Sequence, residues 1–321
     1  MTLTPRSTAR SGLAALAILI GLGAGMAQAR TTLRWKFKPG DVLHYQTVQA
    51  TVTTIQDLNG KPVQQSLALT IDLTWTVKSV DDAGRASVSE TIERMRTSAT
   101  MPYVGKLSDD SKDAEASGPI GSLFKFLVGS EFAFTITPRG EIGDVKLPEK
   151  LLAALKAPDE PAPAAGGRPA EGGGMKMMLM QLGITEEGMK NMLNQMTLVV
   201  PEEALEVGGK WDRKLPAPAG PEGASRMIDQ TFIYRGADVA GKGEGVDLTT
   251  KFEPLKPDPN VPVTIKSEEA SGRYSFDNAA GRITTSTLTQ KIEARVQAEG
   301  KEVPQSIETV TTMTLTKDKA P

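Results

Sequence analysis

The chain has 321 residues, with 37 lysines and arginines against 39 aspartates and glutamates, one histidine and no cysteine. These charges are spread along the chain without the basic stripe of a nucleic-acid binder, so we expect no nucleic-acid partner. Because there is no cysteine, no disulfide can form, and the fold must depend on a packed core.

The first 29 residues (1–29) predict a signal peptide. Arg6 and Arg10 precede an apolar stretch from Leu13 to about Gly25, and Ala27-Gln28-Ala29 fits a signal peptidase site. A membrane anchor is the competing interpretation, but this stretch is shorter than the roughly 20 residues that span a bilayer. We therefore expect an extracytoplasmic protein, periplasmic or secreted, with no transmembrane span after signal cleavage.

Residues 43–77 predict a long β-hairpin. Apolar and polar residues alternate through 63–77, which is the period of a strand with one buried face. Asn59-Gly60 lies between this strand and a preceding Thr/Val-rich stretch, and it favours a type I′ turn. The 63–77 strand would be about 50 Å long at roughly 3.3 Å per residue, so it must bend to keep its apolar face covered.

The heptapeptide "GKPVQQS" at 60–66 recurs as "GKEVPQS" at 300–306. With the glycines aligned, the apolar positions of 303–315 stay in phase with those of 63–77. A one-residue slip would have moved that face to solvent, so the shared phase indicates a second strand of the same kind. The order of the flanking turns differs between the two halves, so we interpret the repeat as a reused hairpin and not as a duplicated binding site.

The remaining turn signals predict a mainly β (α+β) fold. We expect two antiparallel, curved sheets that form a sandwich, barrel or half-barrel, with a short helical middle segment. The first antiparallel region spans 30–146 and the second spans 205–321, and whether they form one body or two lobes stays open. Residues 147–204 form a helical and flexible middle, in which the Pro/Ala/Gly-rich stretch 157–174 is expected to be a disordered linker.

The middle segment contains the two predicted helices and a concentration of methionine. "LPEKLLAAL" begins at 147, and "EEGMKNMLNQM" follows a predicted cap at Thr185. A soft apolar face that forms a lid over the β core or binds an apolar ligand explains the methionines, and copper(I) binding by thioethers is the alternative. The candidate positions for this face are Met177, Met178, Met180, Met189, Met192 and Met196.

The sequence lacks the residue patterns of common catalytic and cofactor sites. His44 is the only histidine, and its place in a strand-like stretch favours a structural role. No G-x-S-x-G, H-E-x-x-H, P-loop or dinucleotide pattern occurs, so we expect no catalytic residue, cofactor or metal site. "SDDSKDAE" at 108–115 begins like a calcium loop, but Ala114 and Ile120 replace the required glycine and glutamate. Carboxylates that converge from distant strands are the remaining alternative.

Two longer segments carry a family resemblance: "FTITPRGEIGDVKLPEKL" at 134–151 and "VVPEEALEVGGKWDRKLP" at 199–216. Together with the N-terminal segment, an early Gly-Asp turn and a late "FDNAAGR" stretch, they make the chain resemble an uncharacterised family of exported, signal-peptide-bearing bacterial proteins, grouped as a domain of unknown function. The resemblance covers nearly all of the mature chain. It implies an extracytoplasmic β-rich protein, and it supplies no catalytic residues because these are turn and packing motifs.

Long amphipathic strands, the Met-rich segment and the missing catalytic patterns indicate a non-catalytic carrier or binding protein. Its partner would be a lipid or other apolar small molecule held in the concavity of a curved sheet, or a protein of the cell envelope. The alternatives are a carboxylate-based hydrolase and a purely structural envelope protein.

Overall fold

A computed structural model describes residues 30–56, 60–113, 119–157, 175–176, 179–180, 183–218, 225–238, 243–254, 263–298 and 301–316. The predicted signal peptide lies outside these residues, as does the predicted linker except for Ala157. Within the described ranges the protein is mainly β, with short helices in its middle, which confirms the predicted class.

The described elements follow the chain in this order. The strands are β1 (Val42–Gln56), β2 (Pro62–Val80), β3 (Ala86–Met101), β4 (Gly105–Asp110), β5 (Glu131–Ile136), β6 (Ile142–Lys146), β7 (Lys210–Pro218), β8 (Ser225–Ala237), β9 (Glu244–Phe252), β10 (Val263–Asp277), β11 (Arg282–Ala298) and β12 (Lys301–Leu315). The helices are α1 (Pro119–Leu127), α2 (Glu149–Lys156) and α3 (Glu186–Met196).

All of these strands belong to one antiparallel sheet. Their order is β6-β5-β3-β2-β1-β12-β11-β10-β9-β8-β7, and β4 also pairs with β3. The hairpin predicted over 43–77 is confirmed as β1 and β2, which pair from Val42↔Thr76 to Gln56↔Pro62. The two predicted β regions therefore meet in a single sheet, because β1 pairs with β12 over eleven residue pairs, from Tyr45↔Leu315 to Ile55↔Gln305.

One face of the sheet, here called the inner face, carries the apolar positions. The odd-numbered residues of β1, β2 and β12 share this face, as the pairs Thr47↔Ile71 and Thr47↔Met313 show. The predicted phase between the strands at 63–77 and 303–315 is therefore confirmed. Register shifts at Asp72/Leu73 and Ile265/Ser267 mark irregular points in the long strands, and such bulges bend a strand and increase its twist.

The opposite, outer face is charged. Arg96 Nη2 lies 2.9 Å from Asp72 Oδ2, and Asp247 accepts from Arg235 Nε at 2.6 Å and from Arg273 Nη1 at 3.0 Å. Such solvent-exposed pairs contribute little to stability, about 0–1 kcal/mol each. Their presence shows that the outer face is built for contact with water, as expected for an antiparallel sheet with one covered face.

The N-terminal segment 31–40 crosses one end of the sheet, here called the closed end. Trp35 N donates to Pro138 O at 2.9 Å, and Lys36 N donates to Gly281 O at 3.0 Å, so the segment joins two distant turns. Thr31 forms a two-way backbone bridge with Leu205. The β1–β2, β3–β4 and β11–β12 connections lie at the opposite end, here called the open end.

Helix α3 packs against both edge strands, β6 and β7, so the sheet curves around it with the inner face concave. Arg213 on β7 fixes the C-terminal part of this helix by donating to Asn194 O at 2.8 Å and to Asn194 Oδ1 at 2.7 Å. At the other helix end, Gly188 N donates to the Thr185 hydroxyl at 3.0 Å, which confirms the predicted cap.

The hydrophobic core fills the closed-end half of this concavity. Trp35, Trp75 and Phe134 are almost fully buried and form edge-to-face contacts with neighbouring rings, such as Trp75 with Phe134 at 5.2 Å between centroids. The helices contribute Leu151 and Leu193 to the same core. The core thus lies between the inner face, the N-terminal segment and the helices.

Two parts of the first β region form elements that were not predicted. Residues 119–127 form α1, whose buried residues Leu123, Phe124 and Leu127 join the core. Residues 105–110, where the calcium-loop pattern began, form an edge strand. Arg94 donates to both oxygens of the Asp110 carboxylate, with Nε at 3.0 Å from Oδ1. These bonds, together with one from the Lys112 backbone N–H, lower the pKa of Asp110 to about 2. Within the described residues, no helix is both long and apolar enough to span a membrane.

Candidate binding surface on the inner face of the sheet

The open-end half of the inner face forms a surface that we call the trough. Two rows of cross-strand neighbours build it: Leu67↔Thr51↔Thr309↔Gln290, and Thr53↔Ile307↔Ile292. Its side chains are Leu67, Thr51, Thr53, Gln290, Ile292, Ile307 and Thr309. The sequence places them here because each occupies the inward phase of a strand that extends past the core.

The trough is partly exposed, in contrast to the core beside it. Leu67 exposes 46% of its surface, and Ile292 and Ile307 are half-buried. Among the described helices, α3 packs on β6 and β7 and α1 contacts β4. These principal helical contacts involve β4, β6 and β7 and not the trough strands β1, β11 and β12.

Hydroxyl and amide groups are mixed with the apolar side chains of the trough. The Thr51 and Thr309 hydroxyls lie 3.1 Å apart and form a hydrogen bond across the two central strands. Gln290 Nε2 donates to Glu268 Oε1 at 2.7 Å. A surface of this composition suits an amphipathic molecule better than a purely hydrocarbon one, because buried polar groups require partners.

A second apolar cluster adjoins the trough on β7, β8 and β9. Leu215 and Ile228 are buried there, and Phe252 packs against them. The Arg226 guanidinium lies 4.7 Å from the centre of the Phe252 ring and pairs with Glu268 at 2.6 Å. The side chains of this ion pair are only 12% and 4% exposed. The pair has no signal in the sequence, because only the strand register brings Arg226 and Glu268 together.

The Arg226–Glu268 pair has unused hydrogen-bonding capacity. Arg226 Nε is buried and has no hydrogen-bond partner among the described residues. A buried unpaired donor costs about 1–3 kcal/mol, more when it is charged, unless a further group satisfies it. The pair therefore leaves a buried polar atom without a partner in the described part of the chain at this end of the trough.

The structure separates the methionines of the predicted lid or ligand face. Met189 is 5% exposed within the core, and Met196 packs against the core from outside. Met180 and Met192 are 57% and 44% exposed. Met177 and Met178 lie outside the described residues. The described members therefore divide between core packing and solvent, and the ligand role of this face stays a prediction.

Glu90 is the described carboxyl group whose pKa is raised. It is 3% exposed and accepts a hydrogen bond from Trp75 Nε1 at 2.5 Å. Burial raises the pKa of Glu90 to about 7, and the bond from Trp75 lowers it only in part. This group lies inside the core between Trp75 and Phe132, its partners on β2 and β5, so it has no access to a ligand in the trough.

The other candidate chemical groups are also placed. His44 lies on the outer face, where its Nδ1 is 3.0 Å from the Thr74 hydroxyl. In the described part of the chain, no cluster of three or more His, Cys, Asp or Glu residues could hold a metal ion. Two shallow depressions of about 360 Å³ each are open to solvent. One lies on the outer face around Arg235 and Arg273, and the other lies near Lys214.

Residues 83–232 match the model of a family of unknown function (DUF6263), which is slightly less than half of the chain. The match confirms the expected resemblance to a domain of unknown function, and the matched part runs from the turn between β2 and β3 into β8. The chain has no significant match among curated proteins.

Among solved structures, the chain is similar to lipovitellin, in a structure that concerns lipid–protein interactions in that protein. The identity is 12%, the TM-score is 0.50, and the similarity covers 89% of this chain but only 26% of the lipovitellin chain. This chain therefore spans about a quarter of its relative's length, and the likeness shows the fold alone.

Two other solved structures are more distant. DynF from the dynemicin biosynthesis pathway of Micromonospora chersina has 6% identity and a TM-score of 0.24, with 91% of this chain and 88% of that chain covered. A DUF1329 family protein from Desulfovibrio piger has 9% identity and a TM-score of 0.16, with 86% and 87% covered. Such scores do not establish a shared fold.

Proposed function

We propose that this protein is a non-catalytic carrier or binding protein that holds a lipid or similar amphipathic molecule in the trough. The observation that carries this proposal is the trough itself: a partly exposed surface of mixed apolar, hydroxyl and amide side chains on the concave side of the curved sheet. The likeness of the sheet to lipovitellin, whose structure concerns lipid–protein interactions, supports the same class of ligand.

The free energy with which the trough would bind an acyl chain follows from the hydrophobic effect. Each methylene group moved from water onto an apolar surface contributes about 0.8 kcal/mol. An acyl chain with about ten methylenes in contact thus contributes about 8 kcal/mol, from which the costs of association and ligand ordering, about 4 kcal/mol or more, are subtracted. This gives a binding strength suited to a carrier that both loads and releases its ligand.

The polar end of the ligand would lie beside Arg226 and Glu268. Arg226 Nε is a buried donor that has no hydrogen-bond partner among the described residues, and the pair lies next to Gln290, which lines the trough. A headgroup or carboxylate that accepts from Arg226 satisfies this donor, while the attached chain runs along Ile292 and Ile307. The orientation of the ligand is therefore part of the proposal.

The test compares two faces of the same strands. Substituting Ile292 and Ile307 together by aspartate places charges in the trough, whereas Val310→Asp places a charge on the outer face of β12 at a similarly half-buried position. With the apolar dye Nile red as probe, we expect the double variant to bind about tenfold more weakly and Val310→Asp to bind within about twofold of the original chain. Circular dichroism of each variant checks that the sheet is intact.

Native mass spectrometry and organic extraction of protein purified from its own cells complete the test. Co-purified lipid that the Ile292/Ile307 double variant loses would support the proposal. If the original chain carries no extractable ligand and does not bind the dye, or if Val310→Asp weakens binding as much as the double variant, the proposal is wrong. A bound protein recovered in place of a lipid would assign the trough to an envelope partner.

The extracytoplasmic location is part of the proposal and rests on the signal-peptide pattern of residues 1–29. Cell fractionation followed by N-terminal sequencing tests it directly. We expect the mature chain to begin at Arg30 and to be found outside the cytoplasm. Recovery of protein that begins at Met1 from the cytoplasmic fraction would contradict this part.

A further inference from the structure

The connection between β3 and β4 presents a cluster of exposed apolar side chains, here called the tip patch. It consists of Met101, Tyr103, Val104 and Leu107, which are 40%, 97%, 63% and 49% exposed. Leu67 on the neighbouring strand β2 adds a further exposed apolar side chain beside them. Single exposed apolar residues are normal on protein surfaces, but contiguous groups of this kind mark interaction sites.

The backbone of the connection holds the Tyr103 and Val104 side chains away from the sheet. Met101 pairs with Gly105 across a three-residue turn. Within that turn Tyr103 has φ +67°, and Gly105 follows with φ +93°. A tyrosine rarely adopts positive φ, and such strained positions concentrate at functional sites. The turn therefore keeps an aromatic ring almost fully in solvent, where packing against the described residues contributes almost nothing to its stability.

The tip patch has the residue types that favour a membrane–water interface. Tyrosine prefers the depth of the lipid headgroups, because its ring is apolar and its hydroxyl is polar. Lys106 lies between Val104 and Leu107, and residues 99–107 contain no acidic side chain, although the whole chain has a net charge of −2. The nearest acid along β4 is Asp109. This local positive charge complements an anionic lipid surface.

The tip patch is continuous with the trough. Leu67 pairs with Ala99, and Ala99 pairs with Leu107, so one inner-face row runs from the trough to the edge strand β4. Leu67 itself belongs to the trough and is exposed toward the tip. An apolar molecule that leaves a surface bound to the tip patch can therefore reach the trough without crossing a charged part of the protein.

We propose that the tip patch docks onto an anionic phospholipid bilayer and that this bilayer is the surface with which the trough exchanges its ligand. The second half of this proposal rests on the proposed function, whereas the docking itself does not. Tyr103 and Val104 enter the headgroup region first, Met101 and Leu107 follow, and Lys106 contacts lipid phosphates. The open end of the sheet then faces the bilayer.

The test measures binding of the full chain to vesicles by flotation. The vesicles contain phosphatidylcholine and phosphatidylglycerol in equal amounts, or phosphatidylcholine alone. We expect binding to the mixed vesicles, weaker binding to phosphatidylcholine alone, and an affinity about tenfold or more lower for the double variant Tyr103→Ser/Val104→Ser. The matched control is Val42→Ser/Val207→Ser, whose residues are 45% and 48% exposed and lie at the closed end, and it should bind as the original chain does.

A second measurement locates the tip. Tyr103→Trp introduces an exposed indole, and its fluorescence should shift to the blue when mixed vesicles are added. No shift, or vesicle binding that the tip double variant retains in full, would overturn the docking proposal. Self-association that is abolished by the tip double variant in analytical ultracentrifugation without vesicles would assign the patch to a second copy of the chain and would also overturn it.

The two proposals fail in different ways. If the original chain floats with vesicles but holds no ligand, the trough function is wrong while docking stands. If the tip double variant keeps both vesicle binding and co-purified lipid, docking is wrong while the trough function stands. The Ile292→Asp/Ile307→Asp variant should still float with vesicles, because its substitutions lie outside the tip patch.

Discussion

Replacing Gly140 by alanine tests how the closed end of the sheet is held. Gly140 lies in the turn between β5 and β6 with φ +87°. A Cβ atom at this position would lie 2.3 Å from Leu198 O and 2.5 Å from Trp35 Nε1. These two atoms form a hydrogen bond of 2.9 Å that ties the N-terminal segment to the chain leaving α3. The added methyl group would therefore enter the bond itself.

Two costs add in this variant. An alanine in left-handed backbone costs about 1–2 kcal/mol. Separating the buried indole donor from its carbonyl costs about 1–3 kcal/mol more. We therefore expect Gly140→Ala to lower the free energy of unfolding by about 2–5 kcal/mol, a large part of the roughly 5–15 kcal/mol of a typical protein. Gly208→Ala is the control, because Gly208 has φ +88° but a Cβ atom added there would meet no other atom within 4 Å, so only the backbone cost applies.

Urea denaturation followed by far-UV circular dichroism and tryptophan fluorescence measures both variants. The loss for Gly140→Ala should exceed that for Gly208→Ala by about 1–3 kcal/mol, which is the contact part of the cost. If the free energy of unfolding falls equally in the two variants, the closed end must rearrange around the added methyl group at little cost, and the role given to the Trp35–Leu198 bond is refuted.

Three further predictions concern the core. The pKa of Glu90 is raised from 4.5 to about 7 in the folded protein, so its protonated form favours folding. The free energy of unfolding should therefore fall by about 3 kcal/mol as the pH rises from about 4.5 to 7. Glu90→Gln should remove that part of the pH dependence in urea denaturation, and an unchanged slope would contradict the assignment. Leu193→Ala should lower the free energy of unfolding by about 2–5 kcal/mol, because Leu193 is buried in the core. Met192→Ala, one residue earlier and 44% exposed, should change it by no more than about 0.5 kcal/mol. Similar effects of the two variants on thermal unfolding would mean that α3 is packed differently. Trp211→Phe should lower the free energy of unfolding by about 1–3 kcal/mol, because it removes the indole N–H that lies 2.8 Å from the Val199 carbonyl oxygen and donates to it. A decrease of less than about 0.5 kcal/mol would show that water replaces this donor.

The strands and their faces could be predicted from the sequence because a two-residue period is local. The segments Val63–Val77 and Val303–Leu315 show this period directly, and the apolar positions of both segments lie on the inner face. The period does not reveal which strands are neighbours, however. Pairing of β1 with β12 depends on contacts between distant parts of the chain, so the choice between one body and two lobes stayed open at the level of sequence.

The parts of the site that could not be predicted depend on register or on exposure. Glu90 is buried because β3 pairs with β2 at Trp75, and no local pattern records that pairing. Helix α1 was missed because "PIGSLFKFL" is short and rich in residues that also favour strands. The tip patch could not be predicted, because its exposure depends on the turn between β3 and β4, which places Tyr103 and Val104 in solvent.

The pairing of the central strands also bears on how the protein folds. Tyr45 and Leu315 are neighbours in the sheet although 270 positions separate them along the chain, so the fold has a high contact order and should form slowly. Until β12 has been synthesised, β1 lacks one of its two partners, and its unpaired edge is open to association with other chains. For the export proposed above this delay is useful, since a polypeptide that cannot complete its sheet early stays extended enough to be threaded through a translocation pore.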